Sequence, residues 1–350
     1  MNNFLDLADF SPAGIRELVA LAARLERKPE PMALSGKVLG LLFLNPSLRT
    51  LASFQSGMSR LGGSSFVISP GSSWKLEYQP GVPMTGEAAE HVREAIPVLA
   101  SYADVLGVRS FAGGRDLEVD LGEPVFQAMH GLSPVPLINM ESAVNHPCQA
   151  LADWKTLDDL DIPDRGGRFV LSWANHPRAL PLAVPAAAAH MAAMRGIDVT
   201  ILRPPGFELP APIMNRVTEA AAAAGGRVQE TDDREAAMDG AHVLYAKSWG
   251  CTRDYGNPEA DAALRSALDG WTVDSPWFEP ADPACVFMHC LPAFHNTDTG
   301  IGMQVYEQFG LELKQAMKKE FEYGLKTLES GEYLKGSKEF TFGKGKHGKF

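Results

Sequence analysis

Two rhythms of apolar and polar positions alternate along this chain. Short apolar runs at residues 38–44, 66–68, 105–108 and 135–138 stand between polar turns. Runs of that length predict strands buried on both faces. Between them, residues 52–61 and 88–102 place apolar side chains at helical spacing. The second half repeats the style, with strands predicted at 169–173, 199–202, 243–245 and 286–289 and helices at 182–194 and 213–224. Strands alternating with helices predict an α/β fold with parallel sheets and crossover helices. Such sheets hold ligands at the carboxyl ends of their strands, so the loops that follow the strands are where chemistry is sought.

A long helix predicted from Pro147, followed by a turn at 161–167, sets a boundary between two units of this kind. The organisation expected is residues 1–150, 151–312 and a lysine-rich tail 313–350, in which 313–328 has helical spacing. A length of 350 residues accommodates two α/β domains, with one large domain as the alternative. The formal net charge of -11 argues against nucleic acid or an anionic membrane as the main partner, but leaves room for a small local basic pocket. No basic patch followed by an apolar run opens the chain, and no stretch has the length of a bilayer span. Cys148, Cys251, Cys285 and Cys290 show no CxxC spacing, so neither a metal site nor a redox pair is expected. Reduced thiols in a cytoplasm are the expectation.

The first candidate chemistry lies where the apolar run 38–44 ends. Asn45-Pro46-Ser47-Leu48-Arg49-Thr50 is a polar turn leading into a helix. Free N–H groups at a helix start, two hydroxyls and a guanidinium make an anion site. Taken alone, Ser and Thr before a helix read equally as an N-cap.

Four segments in order change that weighting: Ser47-Leu48-Arg49-Thr50, Gly107-Val108-Arg109, His146-Pro147-Cys148-Gln149 and His289-Cys290-Leu291-Pro292. They resemble the signature segments of the aspartate and ornithine carbamoyltransferase family, and the likeness covers roughly residues 35–310. The resemblance implies two Rossmann-like domains with the active site between them, usually in homotrimers whose neighbouring subunits share a site. It implies that an amine attacks the carbonyl of carbamoyl phosphate, with no cofactor and no metal. Thr50, Arg109 and His146 would face the carbonyl oxygen, where charge gathers in the transition state. Gln149 would hold the carbamoyl NH2, and Ser47, Leu48, Arg49 and Thr50 the phosphate. Cys290 joins the catalytic group by shaping its loop, not as a nucleophile, because the substrate amine attacks directly.

Lys247-Ser248-Trp249-Gly250 follows the predicted strand 243–245. Ornithine carbamoyltransferases have an aspartate near this point, which pairs with the free α-ammonium of ornithine. A lysine repels an ammonium and attracts an α-carboxylate. This segment therefore resembles the N-acylornithine branch, whose α-amine carries no charge. Trp74-Lys75-Leu76-Glu77, Asn139-Met140-Glu141 and Trp173-Ala174-Asn175-His176-Pro177-Arg178 resemble that branch too. By this likeness Trp74 reaches into the neighbouring subunit's site, Glu141 orients the substrate amine, and Lys247, Arg178, Cys290 and Leu291 contact the acylornithine. In Gly86-Glu87-Ala88-Ala89-Glu90-His91, Ala89 stands where the acetyl-specific type carries a glutamate. An alanine does not repel an extra carboxylate, which favours N-succinylornithine slightly over N-acetylornithine.

The chain also departs from the family. Leu51 and Gln55 replace charges that usually continue the phosphate motif. Ala293-Phe294-His295-Asn296-Thr297-Asp298 resembles the ornithine or putrescine branch instead. The family's C-terminal acidic-Ala-Asn-Arg segment has no counterpart, since the last arginine is Arg265. A lost charge-assisted hydrogen bond of about 1.5–3 kcal/mol would weaken phosphate binding. Three alternatives therefore stand beside the acylornithine reading: an ornithine carbamoyltransferase, a non-catalytic relative that binds carbamoyl phosphate, and a nucleotide-binding Rossmann protein. No GxGxxG follows a strand, which argues against the last.

Overall fold

A computed structural model describes residues 3–70, 74–176 and 178–290. Residues Met1–Val273 and Pro280–Cys290 form one compact unit. The intervening Asp274–Glu279, which holds the 3-10 turn Ser275–Phe278, falls outside it. Leu291, residues 292–298 and the tail 313–350 lie outside the described residues.

The elements run α1 (Pro12–Arg27), β1 (Val38–Phe43), α2 (Leu48–Arg60), β2 (Ser64–Ile68), β3 (Lys75–Glu77), β4 (Ala88–His91), α3 (Val92–Ala100), β5 (Val105–Arg109), α4 (Leu117–Gly122), α5 (Pro124–Leu132) and β6 (Leu137–Glu141). They continue with α6 (Pro147–Asp159), β7 (Arg168–Trp173), α7 (Ala183–Arg195), β8 (Asp198–Leu202), α8 (Ala211–Ala224), β9 (Val228–Thr231), α9 (Arg234–Met238), β10 (Val243–Lys247), α10 (Pro258–Ser266) and β11 (Val286–His289).

Two parallel sheets result. The first has the order β2-β1-β5-β6 and the second β11-β10-β7-β8-β9, while β3 and β4 pair separately. Period-two alternation divides the first core. Leu42, Leu106 and Val108 bury against Val92 and Ile96 of α3 and Phe126 and Met129 of α5. Leu41, Phe43 and Met140 face the other way, against Leu51, Phe54 and Met58 of α2. In the second core, Phe169, Leu171, Trp173, Val199, Ile201, Val243 and Tyr245 meet α6, α7 and α8. Alanine fills most of α7, so that helix is buried nearly all round. It stops at Gly196, whose φ of 85° a side chain rarely adopts; a Cβ there would also come within 2.9 Å of the Ala224 carbonyl.

One predicted helix needs correction. Of residues 88–102, the first four are strand β4, and α3 starts only at Val92. Ala88–His91 find a parallel partner in Lys75–Glu77. His91 then caps α3, its Nδ1 accepting from Arg93 N at 3.0 Å. The helix predicted at 52–61 starts earlier, at Leu48, so Leu48, Arg49 and Thr50 form its first turn.

Chain order places two switch points. From β1 the chain moves through α2 to β2 on one side, then returns to lay β5 on the other side of β1. From β7 it moves through β8 to β9, then returns to lay β10 on the other side of β7. At each point the following loops diverge and leave a crevice at the carboxyl ends of the strands. The first crevice is bounded by the start of α2 and Arg109, the second by the loop after Trp173 and Lys247.

Candidate active site

The ends of β5 and β6 carry a buried ion pair. Arg109 and Glu141 are register partners and sit beside each other as a salt bridge, each less than a tenth exposed. The Arg109 guanidinium also lies 4.5 Å from the centre of the Phe111 ring. Asn45 Oδ1 accepts from Phe111 N at 2.8 Å and ties the turn after β1 to the turn after β5. Burial pushes the Glu141 carboxyl upward, opposed by Arg109 and, more weakly, Lys247. Its Oε2 lies 3.4 Å from His146 Nε2.

His146 caps α6. Its Nδ1 accepts from Gln149 N at 3.3 Å, with Pro147 at the first helical position. Burial and the nearby Arg109 lower its pKa to about 3, so the ring is neutral at physiological pH. An accepting Nδ1 leaves the ring proton on Nε2. The cap thus presents a neutral N–H donor beside Glu141.

One turn further, Gln149 Nε2 donates to Asp153 Oδ1 at 2.8 Å. Burial raises the Asp153 carboxyl to about 7, opposed by Gln149 and Tyr245. Lys247, at the end of β10, is buried and donates from Nζ to Ser248 O at 2.7 Å. Burial depresses its pKa, while Cys290 and Glu141 pull the other way. Burial also raises the Cys290 thiol, and its charged neighbours are Lys247, Asp153 and Glu141. Arg109, Glu141, His146, Gln149, Lys247 and Cys290 therefore form one neighbourhood fed by both sheets. Cys148 stands apart in function: its thiol faces the Asn139 carbonyl at 3.4 Å, and burial pushes it up to about 12.

Other expected residues are half-buried, as Ser47 and Thr50 are, or exposed. Ser47 caps α2, with Thr50 N donating to its Oγ at 3.4 Å and its hydroxyl donating to Thr50 Oγ1 at 2.9 Å. Leu48 is 82% exposed, and Arg49 is exposed with no ion pair among the described residues. Trp74 is 53% exposed. Arg178 is exposed, and its backbone N donates to His176 Nδ1 at 3.1 Å. The His176 ring is lowered first by burial, and Lys247, Arg265 and Arg178 act on it in the same direction. Lys247 and Arg178 thus share a neighbour. Among the described residues no group of His, Cys, Asp and Glu is arranged to hold a metal.

Sequence reasoning missed Asp153, Tyr245 and His176. For Asp153 a signal exists, because it stands four positions after Gln149 on one helix. It also missed a bridge outside the cluster. Asp120 accepts from Gly113 N at 2.6 Å, Gly114 N at 2.8 Å and the Tyr255 hydroxyl at 2.8 Å. That bond joins the loop after β5 to the loop after β10.

Comparison with known proteins identifies the family. Residues 2–159 match the aspartate/ornithine carbamoyltransferase carbamoyl-P binding domain, and residues 184–326 match the Asp/Orn binding domain. An N-acetylornithine carbamoyltransferase of Xanthomonas campestris pv. campestris is 38% identical over 300 residues, covering 85% of this chain and 88% of that protein. An N-succinylornithine carbamoyltransferase of Bacteroides thetaiotaomicron is 36% identical over 263 residues, covering 74% of this chain and 77% of that protein. Among solved structures, a glutamate-to-alanine mutant of an N-acetyl-L-ornithine transcarbamylase, complexed with carbamyl phosphate and N-succinyl-L-norvaline, superposes with a TM-score of 0.81. It is 37% identical, with coverage of 87% of this chain and 92% of that one.

Proposed function

The chain belongs to the aspartate/ornithine carbamoyltransferase family of transferases, and we propose that it carbamoylates the side-chain amine of an N-acylornithine. The products are N-acylcitrulline and phosphate, as a step of arginine biosynthesis. The observation that carries this reading is Lys247, buried at the carboxyl end of β10 beside Glu141 and Cys290. A desolvated ammonium needs an anion. Glu141 is already paired with Arg109, so a substrate α-carboxylate is the fitting partner. Free ornithine would bring its α-ammonium to the same place, and like charges in a buried site repel strongly. The ornithine alternative is therefore the weaker one.

The chemistry follows from the residues. The amine nitrogen attacks the carbonyl carbon, the bond from that carbon to the bridging phosphate oxygen breaks, and the departing phosphate takes the proton that the nitrogen sheds. Negative charge on the carbonyl oxygen meets Arg109, the Nε2–H of His146 and the Thr50 hydroxyl. A neutral imidazole donor serves here, because it stabilises the developing charge without first needing to be protonated. Gln149 holds the carbamoyl amide. Arg49, Ser47 and the first N–H groups of α2 hold the phosphate, where the helix start favours an anion. Glu141 keeps Arg109 and His146 in register, and Cys290 shapes the wall next to Lys247.

For the acyl group, N-succinylornithine is slightly favoured over N-acetylornithine. Ala89 lies on β4, exposed and without charge. The relative solved with N-succinyl-L-norvaline carries an alanine in place of a glutamate, which supports the same logic. Exposed Trp74 and Arg49 suit a homotrimer in which Trp74 enters the neighbouring subunit's site. The test is kcat/KM for N-succinylornithine against N-acetylornithine with carbamoyl phosphate saturating. A ratio above one supports the succinyl preference, and a ratio well below one reverses it.

A further inference from the structure

A glutamine amide presents two different edges, a donating NH2 and an accepting oxygen, and a binding site needs one of them turned outward. In Gln149 the NH2 is committed to Asp153 Oδ1 at 2.8 Å. The two residues are four apart on α6, the spacing at which side chains on one helix face meet. Asp153 is itself buried. Besides Gln149, the groups that face it are the Tyr245 hydroxyl from β10 and the Cys290 thiol after β11. An ionised carboxylate only accepts, so it pairs with the amide in a single orientation, NH2 inward and Oε1 turned away. Taking Gln149 as the residue that holds the carbamoyl group, we infer that Asp153 is a positioning residue for carbamoyl transfer: its carboxylate fixes the Gln149 amide so that Oε1 is free to accept from the carbamoyl NH2.

The device responds to pH. Burial brings the Asp153 carboxyl to about 7, with Gln149 and Tyr245 holding it below where burial alone would place it. Once protonated, Asp153 has a hydroxyl to donate. It then competes for Oε1, and the amide loses its fixed orientation. The neighbouring Cys290 thiol is raised by burial and stays neutral through this range. His146, at about 3, does not titrate there either.

The test uses the full chain and kcat/KM for carbamoyl phosphate between about pH 5.5 and 8.5. Asp153→Asn keeps an accepting oxygen but has no proton to gain. The ratio of unaltered enzyme to Asp153→Asn cancels every titration the two share, including that of the substrate amine. The ratio should be flat above about pH 7, fall below it, and level off about tenfold lower, the same loss that removal of the carboxylate brings. Asp153→Ala should lower kcat/KM about tenfold at high pH, with the KM for the amine unchanged. If Asp153 acts through Gln149, the acid break should also vanish in Gln149→Leu, which decides the matter even where Asp153 variants fail to fold. A flat ratio, or an acid break that survives in Gln149→Leu, overturns the inference. Product formation by the unaltered enzyme tests the functional reading separately, so the two failures are distinguishable.

Discussion

Replacing Lys247 by methionine should separate function from stability. The ammonium is buried, and burial depresses its pKa below the usual lysine value. Its one hydrogen bond given by the structure runs to the Ser248 carbonyl at 2.7 Å. Methionine keeps most of the volume and removes the charge. Glu141 retains Arg109, so no buried carboxylate is left alone. Stability should hold within about 1 kcal/mol or rise, because a desolvated cation is replaced by an apolar group. Substrate binding should suffer. One charge-assisted hydrogen bond to the α-carboxylate contributes about 1.5–3 kcal/mol, which raises the KM for the acylornithine about 10–150-fold. The α-carboxylate is remote from the reacting amine, so kcat should change little. The pH dependence has a definite sign. A lysine whose folded pKa is depressed binds fewer protons folded than unfolded, so it makes stability rise with pH between the folded value and the unfolded value near 10.5. That rise should disappear in Lys247→Met. Steady-state kinetics in the amine and urea unfolding at several pH values measure both halves. An unchanged KM would refute the assignment of Lys247 to the α-carboxylate, and a loss of more than about 3 kcal/mol would refute the energetic account.

Ala89→Glu should lower kcat/KM for N-succinylornithine about 5–100-fold with a smaller effect on N-acetylornithine, since two carboxylates about 5 Å apart repel by about 1–3 kcal/mol; equal effects on both would contradict the acyl reading. Arg109→Met leaves Glu141 buried without its cation, so unfolding free energy should drop by about 3–5 kcal/mol, measured by urea titration, with turnover lost. His146 should remain a neutral imidazole with its proton on Nε2 from about pH 5 to 8, visible by nitrogen NMR of labelled histidine; an imidazolium signal at pH 6 would contradict its burial. Tyr255→Phe removes one of three hydrogen bonds to Asp120 and should cost about 1–2 kcal/mol in urea unfolding.

The central strands of each sheet were legible, unlike polar β9, because they are buried on both faces and read as apolar runs. Residues 38–44 and 169–173 are examples, and the carboxyl ends of such runs pointed to Arg109 and to the loop after Trp173. Strand β4 was not legible, because Ala-Ala-Glu-His has the composition of a helix start, and only its pairing with Lys75–Glu77 makes it a strand. Four ordered motifs named Arg109, His146 and Gln149. No motif shows that Glu141 is locked to Arg109 or that the His146 ring is neutral, since both depend on burial created by residues far apart in sequence. Asp153 was hidden for the same reason. An aspartate on a helix reads as a solvated residue until α6 is packed beneath the second sheet. The Asp120 to Tyr255 bridge spans 135 residues and leaves no local trace.

Carbamoyl transfer to an acylated rather than a free ornithine is the claim on which the rest depends. The most direct measurement incubates the full chain with isotope-labelled carbamoyl phosphate and an equimolar mixture of N-succinylornithine, N-acetylornithine and ornithine, and follows the labelled products by mass spectrometry. The account predicts labelled N-acylcitrulline, N-succinylcitrulline ahead of N-acetylcitrulline, and little labelled citrulline. Labelled citrulline as the main product, or no labelled product from any of the three, would contradict it.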